Sequence, residues 1–231
     1  MRPVLLLVLL APLLAWGAAV SYRLDRSPHD PRDLVSLQAG TRTFVNYCLN
    51  CHGAQYMRYN RLVDIGLTEA QVRDNLILTG DKVGDTMKVA LGAKEGKAWF
   101  GVAPPDLSVV ARSRGADWLY TYLRTFYRDP KTWTGWNNAV FENAAMPHVL
   151  WTLQGQRFYD KEKHAWTQLS PGAQSTVEYD ATVRDLVNFL VYVGEPNASS
   201  RRTIGIVVLF VLGVIFIFAY ALKKEYWKDV H

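Results

Sequence analysis

The chain opens on an apolar run, Val4 to Trp16, set between Arg2 and the small residues Gly17, Ala18 and Ala19. A basic start, a short apolar centre and a small-residue end form the pattern of a secretory signal peptide, and Pro12 opposes a stable helix there. An uncleaved N-terminal apolar anchor is the competing reading. After a polar, Pro-containing stretch, Leu37, Phe44, Val45 and Cys48 mark the buried side of a helix starting near Ser36. Thr68-Glu69-Ala70-Gln71 is a capping box, which predicts a helix from Glu69 to about Thr79 with Val72, Leu76 and Ile77 as its apolar stripe. Residues 81–103, rich in Gly and Lys, read as mostly loop. Trp118, Leu119, Tyr122, Leu123 and Phe126 give helical spacing over Gly115 to Arg128. Residues 150–170 alternate aromatic and polar, with a turn near Asp160-Lys161-Glu162-Lys163, which suits a small hairpin. Val183, Leu186, Val187, Leu190 and Val191 place an amphipathic helix over Tyr179 to Val193. Last comes an uncharged run, Thr203 to Leu222, long enough to cross about 30 Å of hydrocarbon. The fold class expected from this pattern is mainly α, with one C-terminal transmembrane helix.

Charge sharpens that picture. The formal net charge is +5, which raises the question of nucleic acid. Between Ala18 and Ser200, however, 20 Lys and Arg face 19 Asp and Glu. The excess lies at Arg2, Arg201, Arg202, Lys223, Lys224 and Lys228. Basic residues bracketing apolar runs are membrane topology signals, so lipid is an expected partner and nucleic acid is not. The 8 Trp, 12 Tyr and 9 Phe suit a chain that wraps a flat cofactor and touches a membrane interface.

The chemistry centres on Cys48-Leu49-Asn50-Cys51-His52, which carries the chain's only two cysteines. Cys-x-x-Cys-His is the attachment signature of c-type haem: two thiols for the two vinyl edges of one porphyrin, then a histidine held under the iron. A redox dithiol or half of a zinc site are the competing readings. The remaining histidines form no ligand pair for zinc, and no βαβ pattern surrounds the motif. A His-ligated electron-transfer haem takes a soft sixth ligand, commonly a Met thioether. Met57 lies too close to His52 to cross to the far haem face. Met146, in the stiff non-helical stretch Asn143 to Pro147, is the preferred ligand; Met87 and a bis-His arrangement through His148 are the alternatives. Ala103-Pro104-Pro105-Asp106-Leu107-Ser108 is an extended strip able to lie along a haem edge, or a plain loop in which Asp106 or Ser108 caps the next helix. Haem attachment outside the cytoplasm orients the chain. The expected organisation is 1–19 signal peptide or N-terminal apolar segment, 20–200 periplasmic haem domain, 201–223 anchor helix and 224–231 cytoplasmic tail, in a bacterial inner membrane.

These residues, with Tyr56-Met57-Arg58-Tyr59-Asn60-Arg61 and the Gly194-Glu195-Pro196 lead into the anchor, resemble the cytochrome c1 family of proteobacterial type. The resemblance implies a class I cytochrome c-like haem domain with loop-rich insertions and one covalent haem c. It implies attachment at Cys48 and Cys51, ligation by His52 and Met146, Pro104 and Pro105 along the edge, Arg114 at a propionate and Trp118 packed nearby. Arg112 is a substitute for Arg114. Trp99-Phe100-Gly101 stands where many members carry Asn, and Trp118 replaces a frequent Tyr. The implied role is electron relay in a dimeric bc1 (quinol–cytochrome c reductase) complex, from the Rieske iron–sulfur protein, beside cytochrome b, to a cytochrome c acceptor. No catalytic residue of its own is required. A membrane-anchored monohaem shuttle, or a terminal-oxidase subunit, is the alternative.

Overall fold

The computed structural model describes residues 22–229. The expected signal segment, residues 1–19, lies outside them. Two helices form the backbone of the core. α1, Leu34–Thr43, starts at Asp33, whose carboxylate accepts the Ser36 N–H. Five residues in a widened π-helical turn, Phe44–Cys48, carry it directly into the cysteine motif. The other core helix spans Thr176–Gly194 near the far end of the domain, and in its Ser175/Glu178 capping box the Ser175 Oγ accepts the Glu178 N–H while the Glu178 carboxylate accepts the Ser175 N–H at the helix N-terminus. The two helices cross at Gly40, where an added Cβ would stand 2.0 Å from the Asp185 carbonyl oxygen and 2.8 Å from Phe189 Cβ. Leu37, Phe44 and Val45 meet Val183, Leu186, Val187 and Phe189 there, all fully buried.

Between these helices the chain builds short elements that frame a slot. β1, Ala54–Arg58, pairs antiparallel with β2, Thr86–Met87. α2, Glu69–Asn75, has the expected Thr68/Gln71 capping box but ends four residues early, at Leu76, which leaves the helical region. Residues 81–103 are mostly irregular, as expected, but contain a helix the sequence reading lacks: α3, Ala93–Phe100, packs so closely that a Cβ on Gly96 would stand 2.7 Å from Pro104 Cδ, and Gly101 closes it in the left-handed region at φ 75°. α4 is Val110–Arg114.

α5 is Ala116–Arg124, shorter than the sequence pattern predicts. Asn138 Nδ2 donates to the Tyr122 carbonyl at 2.7 Å, and the chain turns into β3, Phe126–Arg128, paired antiparallel with β4, Trp136–Asn138. Tertiary pairing thus takes residues whose spacing alone suits a longer helix. After α6, Trp151–Gln154, the expected hairpin forms from β5, Gly155–Asp160, and β6, Ala165–Pro171. The Asp160 carboxylate accepts the N–H groups of Glu162 and Lys163 in its turn. The Thr176–Gly194 helix is α7. α8, Ala198–Tyr226, contains the candidate span Ser200–Tyr226, none of it buried against the domain. A helix this long and apolar has no core to enter, and it anchors the protein in a membrane.

Candidate functional site

The π-helical turn sets the first wall of the site. Phe44, Val45 and Leu49 are buried and hold it in place. The N–H groups of Cys51 and His52 both reach the Cys48 carbonyl, at 3.0 and 2.8 Å, so both thiols and the imidazole leave one tight turn. Widened turns of this kind cluster at functional sites. The two cysteines are unbridged. Burial, and secondarily Cys51, pushes the Cys48 thiol up to about 12; burial likewise raises Cys51. A redox dithiol depends on a thiolate, which this environment disfavours, and among the described residues no group of three or more His, Cys, Asp or Glu is placed to hold a metal ion such as zinc.

His52 Nδ1 donates to the Pro105 carbonyl at 2.7 Å. A carbonyl only accepts, so the neutral ring keeps its proton on Nδ1 and its Nε2 lone pair free. Burial lowers the His52 pKa, opposed by the Pro105 bond and the nearby Asp106 charge. The strip that carries Pro105 is stitched to the residues just after the motif. Leu107 N–H donates to the Gly53 carbonyl at 2.7 Å, and the Asp106 carboxylate accepts from the N–H groups of Gln55 and Ser108, both at 2.9 Å. Ser108 Oγ accepts the Tyr56 N–H at 3.0 Å. Neither side chain caps a helix: α4 begins at Val109 with no side-chain cap.

The loop that follows β4 supplies another part of the lining. Asn138 Oδ1 accepts the N–H groups of Val140 and Phe141, and Asn137 Oδ1 accepts that of Asn143, which sits at φ 58°, a left-handed conformation that asparagine tolerates. These bonds deliver Ala144, Ala145, Met146 and Pro147 to the slot. The other candidates do not reach it. Met57 and Met87 are fully buried in the core, Met87 opposite Ala54 in β2. His148 is buried beside a different surface, stacked on Phe126 at 5.0 Å, with burial pushing its pKa down to about 3.

Two adjoining lobes form the slot. The larger, about 270 Å³, is lined by Cys48, His52, Pro105, Arg114, Trp118 and Met146, with an apolar floor that includes Leu107, Val110, Leu119, Leu186 and Leu190. The smaller, about 80 Å³, adds Cys51, Pro104 and Pro147. All eight residues singled out in the sequence therefore meet at one place. Arg112 lies instead against Gly194. Arg114 stands over the Trp118 ring at 5.2 Å, and Trp118 is stacked on Tyr122 at 4.7 Å. Tyr122, buried so that its phenol is held protonated, entered the sequence reading only as part of a helical stripe and not as a site residue, and Asn137 and Asn138 did not enter it. The four-residue step from Trp118 to Tyr122 is the sequence signal for the former; the asparagines leave none. A roomier hollow of about 480 Å³, lined by Arg124, Arg157 and Asp180, contains none of the eight. A flat apolar slot with two thiols at one edge, an imidazole lone pair and a thioether fits a covalently held, axially ligated haem.

The Cytochrome C1 family model matches residues 26–88 and 79–230. The chain is 53% identical over 227 residues to the ammonia monooxygenase gamma subunit of Nitrosomonas europaea, covering 98% of this chain and 97% of that protein. It is 44% identical over 239 residues to cytochrome c1 of Allochromatium vinosum, covering 97% and 96%. To a mitochondrial cytochrome c1 heme protein of Solanum tuberosum the identity is 23% over 223 residues, covering 85% and 80%.

Proposed function

Because the chain belongs to the cytochrome C1 family, we propose that it is the haem subunit of a quinol–cytochrome c reductase (bc1) complex, relaying electrons from the Rieske iron–sulfur protein to a cytochrome c. The observation that carries this reading is the convergence of Cys48, Cys51, His52 and Met146 on one apolar slot. One haem c, when bound, supplies a one-electron iron couple. Cys48 and Cys51 would hold it through thioether links, and His52 Nε2 and Met146 Sδ would bind its iron, a soft thioether favouring the reduced state. Pro104 and Pro105 flank the edge and keep His52 oriented. Arg114 offers a cation to a propionate, and Trp118 a flat wall beside it. Leu107, Val110, Leu186 and Leu190 exclude water, which limits the polar rearrangement that accompanies electron transfer. Exposed Val102, beside the smaller lobe, supplies apolar surface for a docking partner.

In this reading the haem domain, residues 20–200, faces the periplasm of a bacterial inner membrane. Residues 201–223 cross it and 224–231 reach the cytoplasm, with cytochrome b, lipid and a second copy of the complex as neighbours. A second reading takes support from the Nitrosomonas relative's name, a subunit working with ammonia monooxygenase. Oxygen activation at the haem requires an open coordination position; a thioether, Met146, lining the slot together with His52 favours relay over that chemistry.

The test is a reduced-minus-oxidised visible spectrum of the protein isolated in mild detergent from its native membrane, with the mass of the mature chain. Co-purifying b-type haem and a chain heavier by one haem are expected. A c-type spectrum alone would move the anchored shuttle or terminal-oxidase subunit ahead, and a mass without haem would overturn covalent attachment.

A further inference from the structure

Tyr122 lies in the wall of the slot, and its hydroxyl donates to Met146 Sδ at 3.6 Å. Among the described residues that hydroxyl makes no other hydrogen bond. Its ring is clamped on two sides: Trp118 is stacked on it with planes 11° apart, and Phe126 meets it edge-on at 5.0 Å. Its backbone is fixed too, by the Asn138 side-chain bond to its carbonyl. Asn138 also accepts from Val140 and Phe141, at the start of the loop that carries Met146. One buried asparagine therefore sets the distance between the hydroxyl and the sulfur from both sides.

We propose that Tyr122 is the positioning residue for the sulfur ligand and raises the reduction potential of the site through its O–H···S bond. The inference rests on Met146 being the axial ligand, as read above. A thioether sulfur has two lone pairs. A donor on one leaves the other for iron, so the bond selects which pair faces the slot. It also draws electron density from the sulfur. The oxidised iron needs that density more than the reduced iron does, so the oxidised state is weakened more. Tyr122 thereby acts on the redox couple without touching it, and no proton leaves the phenol.

The experiment is Tyr122→Phe in the full chain, purified with its haem in detergent. The ring and its two aromatic contacts remain, so the fold is kept. Potentiometric titration of the visible bands should show a lower potential than the parent, with the long-wavelength sulfur-to-iron charge-transfer band retained but shifted. The oxidised variant should bind added cyanide faster, because the sulfur is less firmly held. Phe126→Leu is the packing control: Phe126 meets the Tyr122 ring edge-on but lines neither lobe of the slot, so the variant disturbs the ring's packing, keeps the hydroxyl, and should leave the potential closer to the parent's than Tyr122→Phe does. An unchanged potential in Tyr122→Phe, with the charge-transfer band present, overturns the role of Tyr122 and leaves Met146 as ligand. An equal fall in Phe126→Leu overturns it in favour of packing. Absence of the charge-transfer band in the parent overturns the ligand assignment itself, and this inference with it.

Discussion

Asp106 is the residue on which the His52 side of the slot depends. It does not line the slot, yet one of its oxygens accepts the Gln55 N–H and ties the proline strip to the segment behind the cysteine motif, while the other accepts the Ser108 N–H and shapes the strip itself. Asp106→Ala should lower stability by about 1 kcal/mol, the scale of a partly exposed charged acceptor, with Asp106→Asn costing less because one acceptor oxygen remains. Urea midpoints of the two variants check this, and equal stability of Asp106→Ala and parent would contradict it. Asp129 plays a comparable part on the distal side, accepting from Asn137 Nδ2 at 2.9 Å. That bond holds its carboxyl below the ordinary 3.8, helped by Lys131 and opposed by burial. The folded form therefore binds its proton less readily than the unfolded chain does. The stabilisation is present above about pH 4 and is lost as pH falls through the folded value. Urea midpoints measured from about pH 5 down to about pH 3 should decline less steeply in Asp129→Asn than in the parent.

At the scale of elements, the crossing of α1 and α7 sets the position of everything on the proximal wall. Gly40 allows that approach, and no rotamer relieves the clash an alanine would make, since the nearest atoms are backbone. Gly40→Ala should destabilise by about 1–3 kcal/mol, read as a lower thermal midpoint. The capping box of α2 was legible because its partners are three residues apart; that of α7, Ser175 and Glu178, was missed, and the helix starts at Thr176, ahead of the expected Tyr179. α3 was not: Gly96 and two lysines break its stripe, and the contact that selects the helix is with Pro104, which sequence spacing does not reveal. β3 was lost for the same kind of reason, since Phe126 continues the α5 pattern and only pairing with Asn138 redirects it.

At the scale of the molecule, the described residues form a haem-family domain on a single exposed anchor. Arg201 pairs with Glu195, and Arg61 Nη2 donates to Asn197 Oδ1, so polar contacts fasten the root of α8 to the domain. A chain ending after Asn197 should remain in the soluble fraction, while the full chain needs detergent; recovery of the truncated chain in membranes would contradict the anchor role. The near balance of 20 basic and 19 acidic residues between Ala18 and Ser200 implies docking by local patches. On the proposed function, the rate of reduction of an added cytochrome c should therefore change less than about tenfold over a moderate salt range, where strong electrostatic steering would change it more.

The sequence by itself determined the cysteine–histidine motif, the anchor, the capped start of α2 and the identity of the slot's main residues, because each depends on neighbours within a few positions or on composition. The tertiary structure decided which methionine lines the slot with His52, where Arg112 and Arg114 part company, and that Tyr122 reaches the Met146 sulfur. Those depend on segments far apart in the chain being brought together by side-chain bonds from Asp106, Asn137 and Asn138, and no local periodicity carries that information.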